Sequence, residues 1–336
     1  MYRNTLEAVR HRLPDEIPLH YYPDRESAWL MANLWHEDHA RIPELRKTRL
    51  ARLLDRKALR PLVARCGGTL HRHDVIALAH ADHFGVFHGL TPAGEAALDA
   101  CWADPWQDFG LNFTTWGEGR HWEYAQISRE GGSLVIQLGF PSDHAQLMGR
   151  YLPDDARTKF EESYHPVRLD GRPTLAWARV DMDLDRGEAL IEEVQCDWLR
   201  LVADEVEWLN DADPQSRDAR AHQAYQRELF ARYARIWPNV MLLATLTVLV
   251  ESLGMRRIWM HRPETGAILK GISGMYPPVS LYTKLPRSFC FEPVADLPRL
   301  LEPGPWTRRP RFARNRLKAV ERVANTGKPV FWRLDI

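Results

Sequence analysis

Cysteine is scarce in this chain of 336 residues, and its four cysteines stand far apart. Cys66, Cys101, Cys196 and Cys290 form no CxxC pair, so neither a disulfide framework nor a structural zinc site is expected. Long apolar runs are also missing. The most apolar stretch, VMLLATLTVLV at residues 240–250, falls well short of the roughly 20 residues a membrane-spanning helix needs. The N-terminal MYRNTLEAVRHRLPDE is charged and has no apolar core of the secretory type. A soluble, cytoplasmic, reduced protein is the expectation, with no membrane partner. Lysine is rare beside arginine, a bias that fits a GC-rich bacterial genome. Neither charge sign dominates: Lys+Arg and Asp+Glu are both 45, so net charge selects no class of partner. There is no HExxH, and Gly67-Gly68 and Gly131-Gly132 read as turns, not phosphate loops.

What is present is core material. Hydrophobic residues make up 45% of the chain and there are 13 tryptophans, enough for an ordered globular protein. Residues 1–103 read as a helical N-terminal domain. Three- and four-residue apolar spacing runs through 27–35, 43–67 and 91–102. The last of these has Thr91 as N-cap and Pro92 at the first helical position. From residue 104 aromatics and glycines take over, and antiparallel strands are expected, one of them Ser133–Phe140. Residues 173–198 predict a β-hairpin turning near Asp185-Arg186-Gly187. Helices follow over about 198–210 and 217–236, then a buried helix from Pro238 to Gly254, a short strand at 256–261, a short helix, and a helical turn leading into a strand at 280–294. The fold class is therefore α+β: a helical N-terminal domain, an α/β domain over 104–304 with a mainly antiparallel sheet, and a basic tail over 305–336.

The hairpin carries the chemistry. In GEALIEEVQCDWLR, residues 187–200, acids interrupt a strand that is otherwise apolar. Strict alternation puts Glu193, Gln195 and Asp197 on one face, and Leu190, Glu192, Val194 and Cys196 on the other. On the facing strand, Arg179 and Asp181 share the polar side. Two readings stay open. The face is either a solvated sheet surface with Arg179 paired to an acid, or a carboxylate-rich site at a strand end, where α/β proteins place ligands. As a site it offers a general base, or oxygen ligands for Mg²⁺ and phosphoryl chemistry. Glu192, on the apolar side, needs a partner or a proton.

The succession of hairpin, helix, short strand and short helix, closed by LYTKLPRSFCFEPV at 281–294, resembles the second half of a GNAT-type acyltransferase over residues 173–295. The closing Leu281-Tyr282 and Phe291-Glu292-Pro293-Val294 are similar to that family's LYxKxGFxxV ending. The resemblance implies a GNAT-like sheet, a transferase and an acyl-CoA donor. It also implies Glu193 (or Glu192) as general base and Tyr282 as general acid. The alternation of the hairpin adds Asp197 to these catalytic candidates, with Gln195 beside it to orient substrate, and makes Arg179, Asp181 and Glu192 the further substrate-binding candidates. The family's pyrophosphate loop, Q/R-x-x-G-x-G/A, is absent. Gln195-Cys196-Asp197-Trp198-Leu199-Arg200 stands there, and an acid at a helix start repels a pyrophosphate. The strand also resembles the IEEIQSDW-bearing domains of phage and mobile-element polyproteins, with Cys196 in place of Ser.

Other features are weaker. His80 and His83 are spaced for a metal but are read as incidental. Cys196 with His165 or His261 as base is disfavoured, because acids raise a thiol pKa. Ser142-Asp143-His144 reads as a helix cap. From Pro305 on, nine Lys/Arg face Glu321 and Asp335. That tail either packs on the acidic 181–213 segment or binds nucleic acid or another polyanion, which would make the chain a non-catalytic binding module.

Overall fold

A computed structural model describes residues 1, 3–82, 85–117, 125–168, 171–272, 278–302 and 311–336. Helix accounts for about 47% and strand for about 19% of the chain, and most of the strand lies in one mainly antiparallel eight-stranded sheet. The fold is α+β. Among the described residues ten strands are formed: β1 (Glu16–Tyr21), β2 (His39–Arg41), β3 (Thr69–His71), β4 (Gln107–Trp116), β5 (Ser133–Gly139), β6 (Thr174–Asp183), β7 (Glu188–Gln195), β8 (Arg257–His261), β9 (Glu292–Val294) and β10 (Phe331–Asp335). The large sheet runs β1-β4-β5-β6-β7-β8-β10-β9, while β2 and β3 pair by themselves. The chain divides into two compact units. One comprises Met1–Pro18, Phe109–Leu285 and Pro293–Arg333, and the other Leu19–Asp108, Pro286–Glu292 and Leu334–Ile336.

In the first unit β4, β5, β6 and β7 pair antiparallel in succession, and β7 then pairs parallel with β8. The turn between β6 and β7 is at Gly187, whose φ of +62° is the left-handed conformation glycine adopts without strain. Nearly every residue of β6 and β7 is buried, so the sheet is covered on both faces and neither is a solvated surface. Helix Trp237–Thr247 is apolar all round and packs on β5, β6 and β7 as a core helix. Among the described residues no single helix is long and apolar enough to cross a membrane. Near the β8 side, Leu190, Trp259, Leu269, Leu317, Val320 and Phe331 close a second apolar cluster. The C-terminal segment contributes to it: helix Arg311–Ala324 packs on helix Pro263–Lys270, and β10 enters the sheet between β8 and β9.

The expected alternation of the hairpin breaks at one point. Arg179 pairs with Glu193, but Val180 pairs with Ile191, so Glu192 is the extra residue of a β-bulge. Beyond the bulge Asp181 lies opposite Leu190, which puts Leu190, not Ile191, in register with the Glu193 face. A bulge re-aims one side chain, and here that side chain is a carboxylate.

The second unit is helical, but its 43–67 segment is not one helix. It breaks into Ile42–Leu45, Ala51–Leu54 and Arg60–Arg65. Local side chains compete with the helix there. Thr48 donates to Leu45 O at 2.8 Å and accepts from Leu50 N at 3.1 Å. Asp24 accepts the Ala58 N–H at 3.1 Å. Thr91 caps helix Pro92–Trp102 as expected, its hydroxyl accepting from Gly94 N. At Asp143, by contrast, the N-terminal position of helix His144–Gly149 has no side-chain cap.

Candidate functional site

The ladder between β7 and β8 stops at Ile191↔Met260, although β7 continues to Gln195. Where it stops, a cavity of about 660 Å³ begins, a size that suits a small-molecule ligand. It is lined on one side by Glu192 to Cys196 of the β7 end, and on the other by His261, Arg262 and the first turns of helix Pro263–Lys270. Trp237, Ile272, Pro278 and Leu281 add apolar wall. On the side where β8 has ceased to pair, two backbone groups of β7 take side chains instead. Lys270 Nζ donates to Glu192 O at 2.6 Å, and Val194 N–H donates to Tyr282 Oη at 3.2 Å.

The bulged Glu192 is fully buried. Ser128 N–H and Oγ–H donate to its two oxygens at 3.0 and 2.8 Å. His261 Nε2 lies 3.0 Å from the same carboxylate and 3.0 Å from Ser128 Oγ. Burial raises the Glu192 pKa, but the His261 hydrogen bond and the nearby charges outweigh it and hold the group below its ordinary value. Burial also lowers the pKa of His261. The pair is therefore a carboxylate and a neutral imidazole. Because the carboxylate only accepts, the imidazole proton sits on Nε2. His261 Nδ1 is left as a bare acceptor, buried and without a partner among the described residues.

Glu193 accepts from Arg179 Nη2 and, at 3.4 Å, from Lys270 Nζ. Burial raises its pKa, yet Lys270 and Arg179 prevail and the group stays ionised. Arg179 is clamped between the Trp116 and Trp177 rings, 5.6 and 5.7 Å from their centroids, and donates to Ala125 O at 2.6 Å. Burial lowers the Lys270 pKa against the opposing pull of Glu193. Burial likewise raises that of Tyr282, so its phenol is neutral, with the oxygen receiving Val194 N–H and the O–H proton left to donate.

Of the residues proposed from sequence, Glu192, Glu193, Gln195 and Tyr282 line the cavity, and Arg179 supports Glu193 from behind. Asp181 goes elsewhere. It binds Arg129, the Met1 amine at 2.8 Å and Met182 N at 2.8 Å. Burial raises its pKa, but the amine and Arg129 overcome that and bring it to about 2. Asp197 opens helix Asp197–Ala212 and lies outside the cavity wall. It accepts from Trp177 Nε1 at 2.9 Å and Arg200 Nη2 at 3.2 Å, contacts Gln195, and faces His165 Nδ1 at 2.9 Å. The hydrogen bond to Asp197 raises the His165 pKa. At Asp197 burial pushes upward, but the His165 and Trp177 bonds hold the group below its usual value.

That pair has a pH signature. A histidine whose folded pKa exceeds its unfolded value of about 6.5 stabilises fully below that pH, and the contribution fades as pH rises through the folded value. The urea midpoint is therefore expected to fall between pH 6 and pH 9. Asp197→Asn should flatten that part of the profile, and a variant that keeps the wild-type slope would refute the pairing.

Sequence reasoning missed Ser128, Lys270 and Arg262 as contributors. Lys270 did leave a trace: a lysine inside the apolar AILKGI of a chain with few lysines. Cys196 is a poor nucleophile, since burial pushes its thiol up to about 12. Among the described residues no group of three or more His, Cys, Asp or Glu is placed to hold a metal ion. His83, and the tail residues 303–310 with Trp306, lie outside the described residues. Comparison with protein-family models, curated proteins and solved structures found no match.

Proposed function

We propose that this chain is a transferase-type enzyme acting in the cavity at the end of β7, with an acyl-CoA as donor and a GNAT-like sheet as its frame. The observation that carries the reading is the stopped ladder. The cavity sits where parallel β7 and β8 cease to pair, and the neutral phenol of Tyr282 and the ionised Glu193 stand in one wall of it. An acyl donor lying there meets both. The acceptor's amine or hydroxyl attacks the thioester carbon and passes its proton to Glu193 as the C–S bond breaks. Tyr282 gives its proton to the departing thiolate, and Val194 N–H stabilises the phenolate left behind. Lys270 and Arg179 keep Glu193 charged between turnovers. They also make it a weak base, so the reading favours an acceptor amine that is already neutral and whose N–H proton becomes acidic only once its nitrogen has attacked the thioester carbon.

Calorimetric titration with acetyl-CoA, followed by thiol release in the presence of a pool of small amines and alcohols, tests this. Saturable binding in the micromolar range with acceptor-dependent thiol release is expected. A protein that binds neither acetyl-CoA nor free CoA would overturn the donor assignment.

A further inference from the structure

Of the helices that follow the two strands at the cavity, one after β7 and one after β8, only the second can receive an anion. Helix Asp197–Ala212 opens with Asp197, 2% exposed and held ionised by His165, Trp177 and Arg200. A buried carboxylate in the first turn already occupies the positive helix end and repels a second anion. This is where the GNAT resemblance would seat a diphosphate, and in this chain the place is taken.

Helix Pro263–Lys270 presents the opposite character. Its N-terminal position is Arg262, which makes no side-chain capping hydrogen bond among the described residues. The first-turn N–H groups of a helix lack partners within the helix, and Pro263 at the first position removes one of them without cost. Arg262, Pro263, Gly266 and Ala267 line the cavity. The Arg262 guanidinium lies 5.3 Å from the centroid of the Trp332 ring. Trp332 is itself buried and fixed by its indole N–H on Tyr282 O at 2.8 Å. The cation is thus held in place by an aromatic face, while no carboxylate pairs with it among the described residues. Glu264, the acid of this first turn, is exposed and outside the cavity wall. Two residues before Pro263, His261 Nδ1 is a buried acceptor in the same cavity lining, without a partner among the described residues. A ligand N–H or O–H close to the anionic group would satisfy it.

We infer that the cavity takes a phosphate-bearing ligand, with the phosphate held by Arg262 and the opening turn of helix Pro263–Lys270. The apolar arm of the ligand runs along Trp237, Ile272 and Leu281 toward Glu193 and Tyr282. This inference rests on the transferase reading for the identity of the donor, but not for the phosphate site itself.

The test is a set of calorimetric titrations of the full chain with coenzyme A, phosphate-free pantetheine and inorganic pyrophosphate. The proteins compared are wild type, Arg262→Gln, Arg262→Lys and, as a surface control, Arg322→Gln. Coenzyme A is expected to bind at least tenfold more tightly than pantetheine. Arg262→Gln should erase that advantage, and Arg322→Gln should leave it intact. Arg262→Lys keeps the charge but loses the two-pronged fork, so a partial loss is expected, and it stands in if the Gln variant misfolds. If coenzyme A binds wild type and both Arg262 variants equally, the phosphate site is wrong while the donor assignment survives. If pyrophosphate binds in an Arg262-dependent way and neither coenzyme A nor pantetheine binds, the phosphate site stands and the donor assignment falls. No binding by any of the three overturns both.

Discussion

Glu192→Ala is expected to destabilise the sheet unit by about 3–5 kcal/mol, the usual cost of removing one partner from a buried charged network. The truncation would leave the Ser128 N–H, the Ser128 hydroxyl and the His261 Nε2–H without their acceptor at a buried position. Their lost hydrogen bonds and the cavity left behind act in the same direction. Glu192→Gln keeps the volume and one acceptor oxygen, but sets an amide N–H₂ against a ring N–H. Its cost should be smaller, about 1–3 kcal/mol. Urea unfolding followed by tryptophan fluorescence separates the two variants. An alanine variant within about 0.5 kcal/mol of wild type, the range of an ordinary surface substitution, would show that the network does not hold the bulge.

In the acyl-transfer reading, Tyr282→Phe should lower the rate of thiol release by about 10²- to 10⁴-fold, the range for a positioned general acid. Donor affinity should stay within a few-fold, because the phenol acts on the departing thiolate, and the ring that shapes the cavity is retained. The variant also leaves Val194 N–H without its acceptor. A stability loss of about 1 kcal/mol is therefore expected alongside and must be measured at the same temperature. A rate within threefold of wild type would remove Tyr282 from the mechanism. An equal loss in donor affinity would make it a binding residue.

Local pattern carries far in this chain. The hairpin at 174–195, its glycine turn, the core helix after Trp237 and the Thr91 cap all depend on neighbours a few residues away, and such interactions can be read from the sequence alone. The acids of the β7 end were legible too, because carboxylates inside an apolar run demand partners wherever the chain goes. What could not be read was which partners. Glu192 was expected on an apolar face by alternation, but the bulge at Arg179/Val180 cancels alternation at that residue, and nothing in GEALIEEVQCDWLR marks it. The 43–67 segment failed for a related reason. Its helical periodicity is real, but Asp24, distant in sequence, binds Ala58 N–H and helps to end the helix.

The sequence by itself determined the α+β class, the hairpin, and the fact that residues 192–197 carry charge needing compensation. Only the tertiary structure decided that Ser128 and His261 satisfy Glu192, that Arg179 and Lys270 satisfy Glu193, and that Asp181 and Asp197 leave the cavity for other cations and donors. The reason is physical. A buried charge fixes that a partner must exist, but its identity depends on which distant strand or helix packs within about 3 Å. The end of the β7–β8 ladder, which opens the cavity, is set by the same long-range packing.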